Sequence, residues 1–147
     1  MAPADRLKTL KLLQRVSHDR LERIGNILAA IRSKQSQLAA QSEALTALAL
    51  QEALSSTLDT RPHLPAFLGS VDSQQRNWAK ESDTLEQEAH TIEHQLFDAF
   101  RDLKTKEMVR SKVESSFKSD EENSEMTRLD DTIRALHHSN KHRRSIG

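Results

Sequence analysis

Apolar residues recur along the first part of the chain with alternating spacings of three and four, the heptad pattern of a coiled coil. The pattern predicts one helix over residues 3–58, starting with Pro3 in its first turn, where a missing N–H costs nothing. The stripe keeps its phase across Gly25 and Asn26, so we expect no break there. Its positions are Leu7, Leu10, Gln14, Ser17, Leu21, Ile24, Leu28, Ile31, Gln35, Leu38, Ser42, Leu45 and Ala49. The polar residues among them predict a marginally stable contact between helices.

A second stripe predicts a second helix over residues 71–138, with Ser70 or Asp72 as its cap. Its positions are Val71, Gln75, Trp78, Ser82, Leu85, Ala89, Ile92, Leu96, Ala99, Leu103, Lys106, Arg110, Val113 and Phe117. After Phe117 the phase shifts, and Met126, Leu129, Ile133 and Leu136 form a separate stripe. Residues 139–147 are predicted to be a flexible basic tail.

Two of the three prolines lie close together, at Pro62 and Pro65, between the two helical patterns. Proline interrupts a helix interior and pushes the preceding residue, here Arg61 and Leu64, towards extended geometry. We therefore predict a bend over residues 59–70. The fold expected is all-α, a long antiparallel two-helix coiled-coil hairpin over residues 1–138.

Closing the hairpin at this bend sets residues whose numbers add to about 130 opposite each other. Leu38 then meets Ile92, and Trp78 lies among three alanines. The acidic residues Asp120, Glu121, Glu122 and Glu125 face Arg6, Lys8 and Lys11. The second helix overhangs the first beyond about Asp130, which leaves Ile133 and Leu136 without an intramolecular partner.

The composition suits a thin two-helix contact better than a thick globular core. Hydrophobic residues make up 35% of the chain and charged residues 30%, and there is no cysteine for disulfides or a thiolate metal site. The net charge of zero predicts no bulk attraction to nucleic acid. The first charged side chain is Asp5, and no apolar run is nearly as long as a membrane-spanning helix. We therefore expect neither a signal peptide nor direct membrane insertion.

One short motif resembles catalytic chemistry. His90, Glu93 and His94 match the HxxEH pattern of a zinc peptidase class. The motif needs a third ligand and a cleft, whereas Ile92 belongs to the predicted contact between helices. We interpret these residues as a solvated helix face, and expect no enzyme activity, metal or cofactor. The basic tail lacks interleaved aromatic residues and is a weak nucleic-acid signal.

The architecture resembles the central stalk proteins of type III export machines, the FliJ family of flagella and the YscO/HrpO family of virulence or symbiosis systems. The likeness is carried by residues 6–15, by residues 104–110 and by residues 121–125, which lead to the Leu-Asp-Asp at positions 129–131.

The resemblance implies a cytoplasmic, non-enzymatic protein, peripheral at the inner-membrane secretion apparatus. The open end of the hairpin would bind a hexameric export ATPase, and the bend would reach an export gate membrane protein, with secretion chaperones exchanged on the way. The ATPase-binding residues implied are Arg6, Lys8, Lys11, Arg15, Leu129, Ile133 and Leu136. The gate or partner-binding residues implied are Phe67, Leu68 and Val71.

Two alternatives remain open from the sequence. Phe67, Leu68 and Val71 could instead pack the turn onto Leu54 and Leu58. The whole protein could be a structural coiled-coil tether or a homo-oligomeric scaffold.

Overall fold

The computed structural model, which describes residues 2–146, contains two helices that pack antiparallel. Helix α1 spans Pro3–Ser55 and helix α2 spans Leu64–Ile146, with a short 3₁₀ turn over Arg61–His63 between them. No strand occurs within the described residues. The predicted all-α hairpin is therefore confirmed, and α1 passes Gly25 without interruption.

The hairpin divides into two compact units. The bend unit is Asp19–Arg101, and the terminal unit combines Met1–His18 with Asp102–Gly147. In each unit, stretches of α1 and α2 lie side by side and share a seam, the line of side chains between the two helices. Both predicted heptad stripes lie in this seam, since every stripe position from Leu7 to Ala49 and from Val71 to Phe117 is buried or half-buried.

Polar residues of the two stripes have hydrogen-bond partners across the seam. In the bend unit, Gln35 donates to the Ser82 carbonyl at 3.3 Å and to Glu86 at 2.8 Å. Gln75 donates in turn to the Ser42 carbonyl at 3.1 Å and to the Thr46 hydroxyl at 2.6 Å. These polar groups therefore leave water without losing their hydrogen bonds.

The terminal unit has its own polar layers. Ser17, which is almost fully buried, donates to Asp102 at 2.9 Å and accepts from the Lys106 ammonium at 2.6 Å. Lys106 also pairs with Asp102 at 3.0 Å, and the Arg110 guanidinium donates to Gln14 at 2.8 Å. The sequence marked Gln14 and Ser17 as imperfections, but the structure gives each a polar partner on α2.

The predicted register is wrong. It set residue 35 against about residue 95, whereas Gln35 contacts Ser82 and Glu86, about ten residues closer to the bend. Trp78 consequently lies beside Leu38, Ala39 and Ser42, not among Ala47, Ala49 and Ala53. The cause is the position of the turn, because moving the turn of an antiparallel pair by one residue shifts the pairing by two.

The turn lies earlier than predicted because the prolines begin helices here. The segment between the α-helices covers residues 56–63, not 59–70, and Thr57 and Thr60 close it with a 2.8 Å hydrogen bond from the Thr57 amide to the Thr60 hydroxyl. Pro62 and Pro65 occupy first turns, where proline is tolerated. Leu64, expected to be extended, has helical φ and ψ of −60° and −45°. Ser70 and Asp72 are interior helical residues and not caps.

The second helix also ends later than predicted. Residues 139–146, expected to be a flexible tail, continue α2. Because of the changed register, the last half-buried residue of α2 is Phe117, and residues 118–144 are all exposed. The expected pairing of Asp120, Glu121, Glu122 and Glu125 with Arg6, Lys8 and Lys11 is therefore wrong, and no ion pair joins the two groups within the described residues.

A forked ion pair reinforces the middle of the bend unit. The two terminal nitrogens of Arg32 donate to Glu86 and to Glu93, each at 2.6 Å. The hydrogen bonds to Glu93 and then Glu86 raise the pKa of Arg32. The hydrogen bonds from Gln35 and then Arg32 lower the pKa of Glu86. Glu86 thus couples the ion pair to the adjacent polar layer.

We predict that Ala89→Leu lowers the free energy of unfolding by about 1–3 kcal/mol, because Ala89 is fully buried and the seam has no room for a larger side chain. The matched control is Ala44→Leu on the exposed face of α1, which should change it by less than about 0.5 kcal/mol. Denaturant titration followed by circular dichroism measures both. Equal effects in the two variants would contradict the tight seam.

We predict that the bend unit loses stability in acid partly through Glu86. A carboxyl whose pKa is lowered by folding contributes stability above its ordinary pKa of 4.5, and that contribution disappears as the pH falls through the lowered value. Glu86→Gln should therefore flatten the dependence of unfolding free energy on pH below about 4.5. Glu88→Gln, at an exposed carboxyl that has no hydrogen bond or ion pair in the described structure, should leave this slope unchanged.

Candidate docking surfaces

The C-terminal segment of α2, residues 118–146, carries the first candidate surface. Helix α1 begins at Pro3 and does not cover it, so residues 118–144 are exposed around the whole circumference of the helix. A helix with no covering neighbour ordinarily shows polar residues all round. This segment departs from that rule on one face.

Four apolar residues form that face, which we name the C-terminal stripe. Its members are Met126, Leu129, Ile133 and Leu136, with exposed fractions of 66%, 60%, 55% and 62%. Their spacings of three, four and three place them on one line along the helix. The prediction that Ile133 and Leu136 lack an intramolecular partner is confirmed, and the stripe also includes Met126 and Leu129.

The basic residues predicted to bind the ATPase lie on a different part of the terminal unit. Arg6, Lys8, Lys11 and Arg15 are exposed on α1. Lys11 and Arg15 border a groove whose other wall is formed by Leu103, Glu107 and Arg110 of α2. At a rise of 1.5 Å per residue, the stripe begins roughly 24 Å further along α2 than Arg110. The predicted set is therefore split between basic residues of α1, two of which border this groove, and the apolar stripe of α2.

At the turn, the structure redistributes the predicted gate residues. Val71 is 8% exposed and belongs to the seam, so it is not available to a partner. Phe67 is half-buried beside Glu52, Ser56 and Thr60, while Leu68 is exposed. Leu68 and Phe67 are therefore the predicted residues that a partner could reach.

The alternative, that these residues pack onto Leu54 and Leu58, is wrong. Leu54 and Leu58 are 80% and 84% exposed. Leu50 is 60% exposed and lies one turn before Leu54 on the same face of α1. We name Leu50, Leu54 and Leu58 the bend patch. Sequence reasoning missed it as a surface, although one signal was available: Leu54 falls off the heptad stripe, whose next positions are the half-buried Ala53 and Ser56.

The HxxEH residues do not assemble a metal centre. His90 lies 3.6 Å from Glu86 and 3.7 Å from Glu93, and both carboxylates are already bound by Arg32. His94 borders an open groove with Phe97 and Asp98. Within residues 2–146, no group of three potential metal ligands comes together.

Further apolar side chains are exposed outside the seam, and the sequence analysis did not single them out. In the bend unit they are Ile27, Leu48, Phe97 and Phe100. In the terminal unit they are Leu12, Leu13, Val16, Met108 and Val109. All lie between stripe positions, so the heptad pattern alone gave no reason to notice them.

Function has to be inferred from these surfaces. No protein-family model, curated protein or solved structure matches this chain. Within the described part of the chain, neither helix contains a stretch apolar enough to cross a bilayer.

We predict that Leu129→Ala and Leu103→Ala have very different effects on stability. Leu103 is buried in the seam of the terminal unit, so its truncation should cost about 2–5 kcal/mol of unfolding free energy. Leu129 packs against no part of α1, so its truncation should cost less than about 0.5 kcal/mol. Denaturant titration at low protein concentration compares them. A similar loss in both variants would show that the stripe is packed within the chain.

Proposed function

We propose that this protein is a non-enzymatic stalk or adaptor of a type III export apparatus, flagellar or injectisome, that binds the export ATPase ring through its terminal unit. The observation that carries the proposal is the C-terminal stripe. A helix that presents apolar anchors at spacings of three and four is a common form of partner recognition, in which the helix lies in a groove or pore of the other protein.

The basic residues near the start of α1 supply the second element of this contact. Arg6, Lys8, Lys11 and Arg15 are all exposed, so they could meet an acidic lining on the ATPase without first breaking contacts within the chain. Charges at the rim of an interface mainly accelerate association and set orientation. The proposal therefore includes a binding rate that falls as the salt concentration rises.

The turn offers a separate contact for the export gate and the chaperones. Leu50, Leu54 and Leu58 form the bend patch, and Leu68 is exposed on α2 nearby in sequence. An exposed apolar patch of this kind usually marks a binding surface. We assign the gate contact to the bend patch together with Phe67 and Leu68, in place of Val71.

The seam supports a role without chemistry of its own. Its polar side chains are used to hold the helices together: Ser17 with Asp102 and Lys106, and Arg32 with Glu86 and Glu93. Each grouping is explained by helix pairing, and none lies in an enclosed cavity that would exclude water from a reaction.

A second candidate is a structural coiled-coil tether or homo-oligomeric scaffold. The observation that favours it is the exposure of Ile27, Phe97 and Phe100 on the bend unit, outside the intramolecular seam. Aromatic residues so placed could form a second seam with another hairpin. This candidate requires that Phe97→Ser with Phe100→Ser abolish a stable oligomer, which sedimentation would detect.

We predict that Ile133→Asp with Leu136→Asp weakens binding to the hexameric export ATPase by about tenfold or more, since two charges replace apolar anchors. Wild-type protein should raise the turnover of the ATPase, and the double variant should lose this effect. The matched control is Leu54→Asp with Leu58→Asp, which changes the same residue class at the bend patch and should retain both properties.

Calorimetry or surface plasmon resonance measures the affinity, and phosphate release measures turnover. Normal binding by the stripe variant would remove the ATPase contact from the C-terminal stripe. Failure of the wild-type protein to bind or stimulate the ATPase at low salt would refute the stalk proposal itself.

A further inference from the structure

The charges of the C-terminal segment are strongly polarised. Residues 119–131 contain six acidic groups and one basic group. Residues 132–144 contain four basic groups and three histidines, with no acidic group. All of these residues are exposed on a helix that α1 does not cover. The acidic half of the segment is therefore complementary in charge to the basic half, but two halves of one continuous helix cannot pack against each other.

The apolar stripe has the same symmetry as the charges. Met126, Leu129, Ile133 and Leu136 are arranged evenly about residue 131, which is also where the sign of the charge changes. In an antiparallel coiled coil, positions a and d of one helix face positions d and a of the other. A second segment placed antiparallel about residue 131 would set Met126 against Leu136 and Leu129 against Ile133, giving four consecutive apolar layers.

We propose that the C-terminal segment pairs with the same segment of a second copy of this chain, antiparallel about a two-fold axis near Asp131. This arrangement brings the acidic half of each copy, which contains Asp120 and Glu121, alongside the basic half of the other, which contains Lys141 and His142. The Asp130 carboxylates come closest at the axis, and Arg134 of the same helix is one turn away from each. A parallel pair would instead set the acidic half against the acidic half and the basic half against the basic half.

Two-fold pairing of this kind is isologous, so it closes with two copies and does not propagate. It covers the stripe that the proposed ATPase contact uses, so a second copy and the ATPase would exclude each other. The pairing itself is inferred from the charges and stripe of this chain and does not depend on the stalk role. Its test uses the purified full-length protein alone.

Sedimentation equilibrium of the wild-type protein at low salt should show a reversible dimer, whose dissociation constant rises with the salt concentration. Leu129→Asp with Ile133→Asp should weaken the dimer by about tenfold or more, because it places charges in the two central layers. Leu54→Asp with Leu58→Asp, at the equally exposed bend patch, should leave it unchanged. A monomer at every soluble concentration, or a dimer that the stripe variant does not weaken, would overturn the proposal.

Charge exchange tests the antiparallel register. Asp120→Lys with Glu121→Lys should weaken self-association, and so should Lys141→Glu with His142→Glu, since each change reverses charges in one half of the segment and so brings like charges alongside each other at both ends of the pair. Mixing the two variants should restore a dimer, because each end then joins opposite charges. Failure of the mixture to associate, with helicity intact by circular dichroism, would exclude this register.

The absence of native cysteine allows a direct distance measurement. A spin label on Ser124→Cys should lie roughly 20 Å from its copy in the dimer, since the axis is seven residues away on each helix. Mixing protein labelled at Ser124→Cys with protein labelled at Ser139→Cys should give a much shorter distance. Short distances between identical labels would indicate parallel pairing and contradict the proposal.

Discussion

The pairing of polar side chains across the seam is the constraint on which the rest of the structure depends. Apolar residues repeating every seven positions would allow the two helices to slide by a heptad with little loss of contact. A displacement by one heptad would break the hydrogen bonds of Gln35 with Glu86 and of Ser17 with Asp102 and Lys106. The polar layers thus define the register at some cost in apolar burial.

The register in turn determines which surfaces are left uncovered. Because the turn closes at residues 56–63, α1 is shorter than α2 and pairs only with its first part. Residues 118–144 of α2 therefore have no neighbour from α1. Had the pairing followed the predicted register, the acidic residues from Asp120 to Glu125 would have faced basic residues of α1. They remain available for a partner instead, alongside the C-terminal stripe.

The seam and the C-terminal segment use the same elements of coiled-coil chemistry for different purposes. Within the seam, an ion pair such as Arg32 with Glu86 and Glu93 is supported by the adjacent Gln35 and by the packing of both helices. In the C-terminal segment, apolar and charged residues are exposed and no stretch of α1 covers them. The functional inferences follow from this contrast between covered and uncovered helix faces.

The sequence by itself determined the helices and the residues that face the seam. Every stripe position from Leu7 to Phe117 could be assigned, because helical periodicity is a local property, repeated over many turns. Only the tertiary structure decided the register and the exposure of Leu54 and Leu58. These depend on where the turn closes, and at Pro62 and Pro65 the same residues can either end a helix or begin one. The turn and the polar layers together select the pairing of the two helices, and no local pattern reports which choice is made.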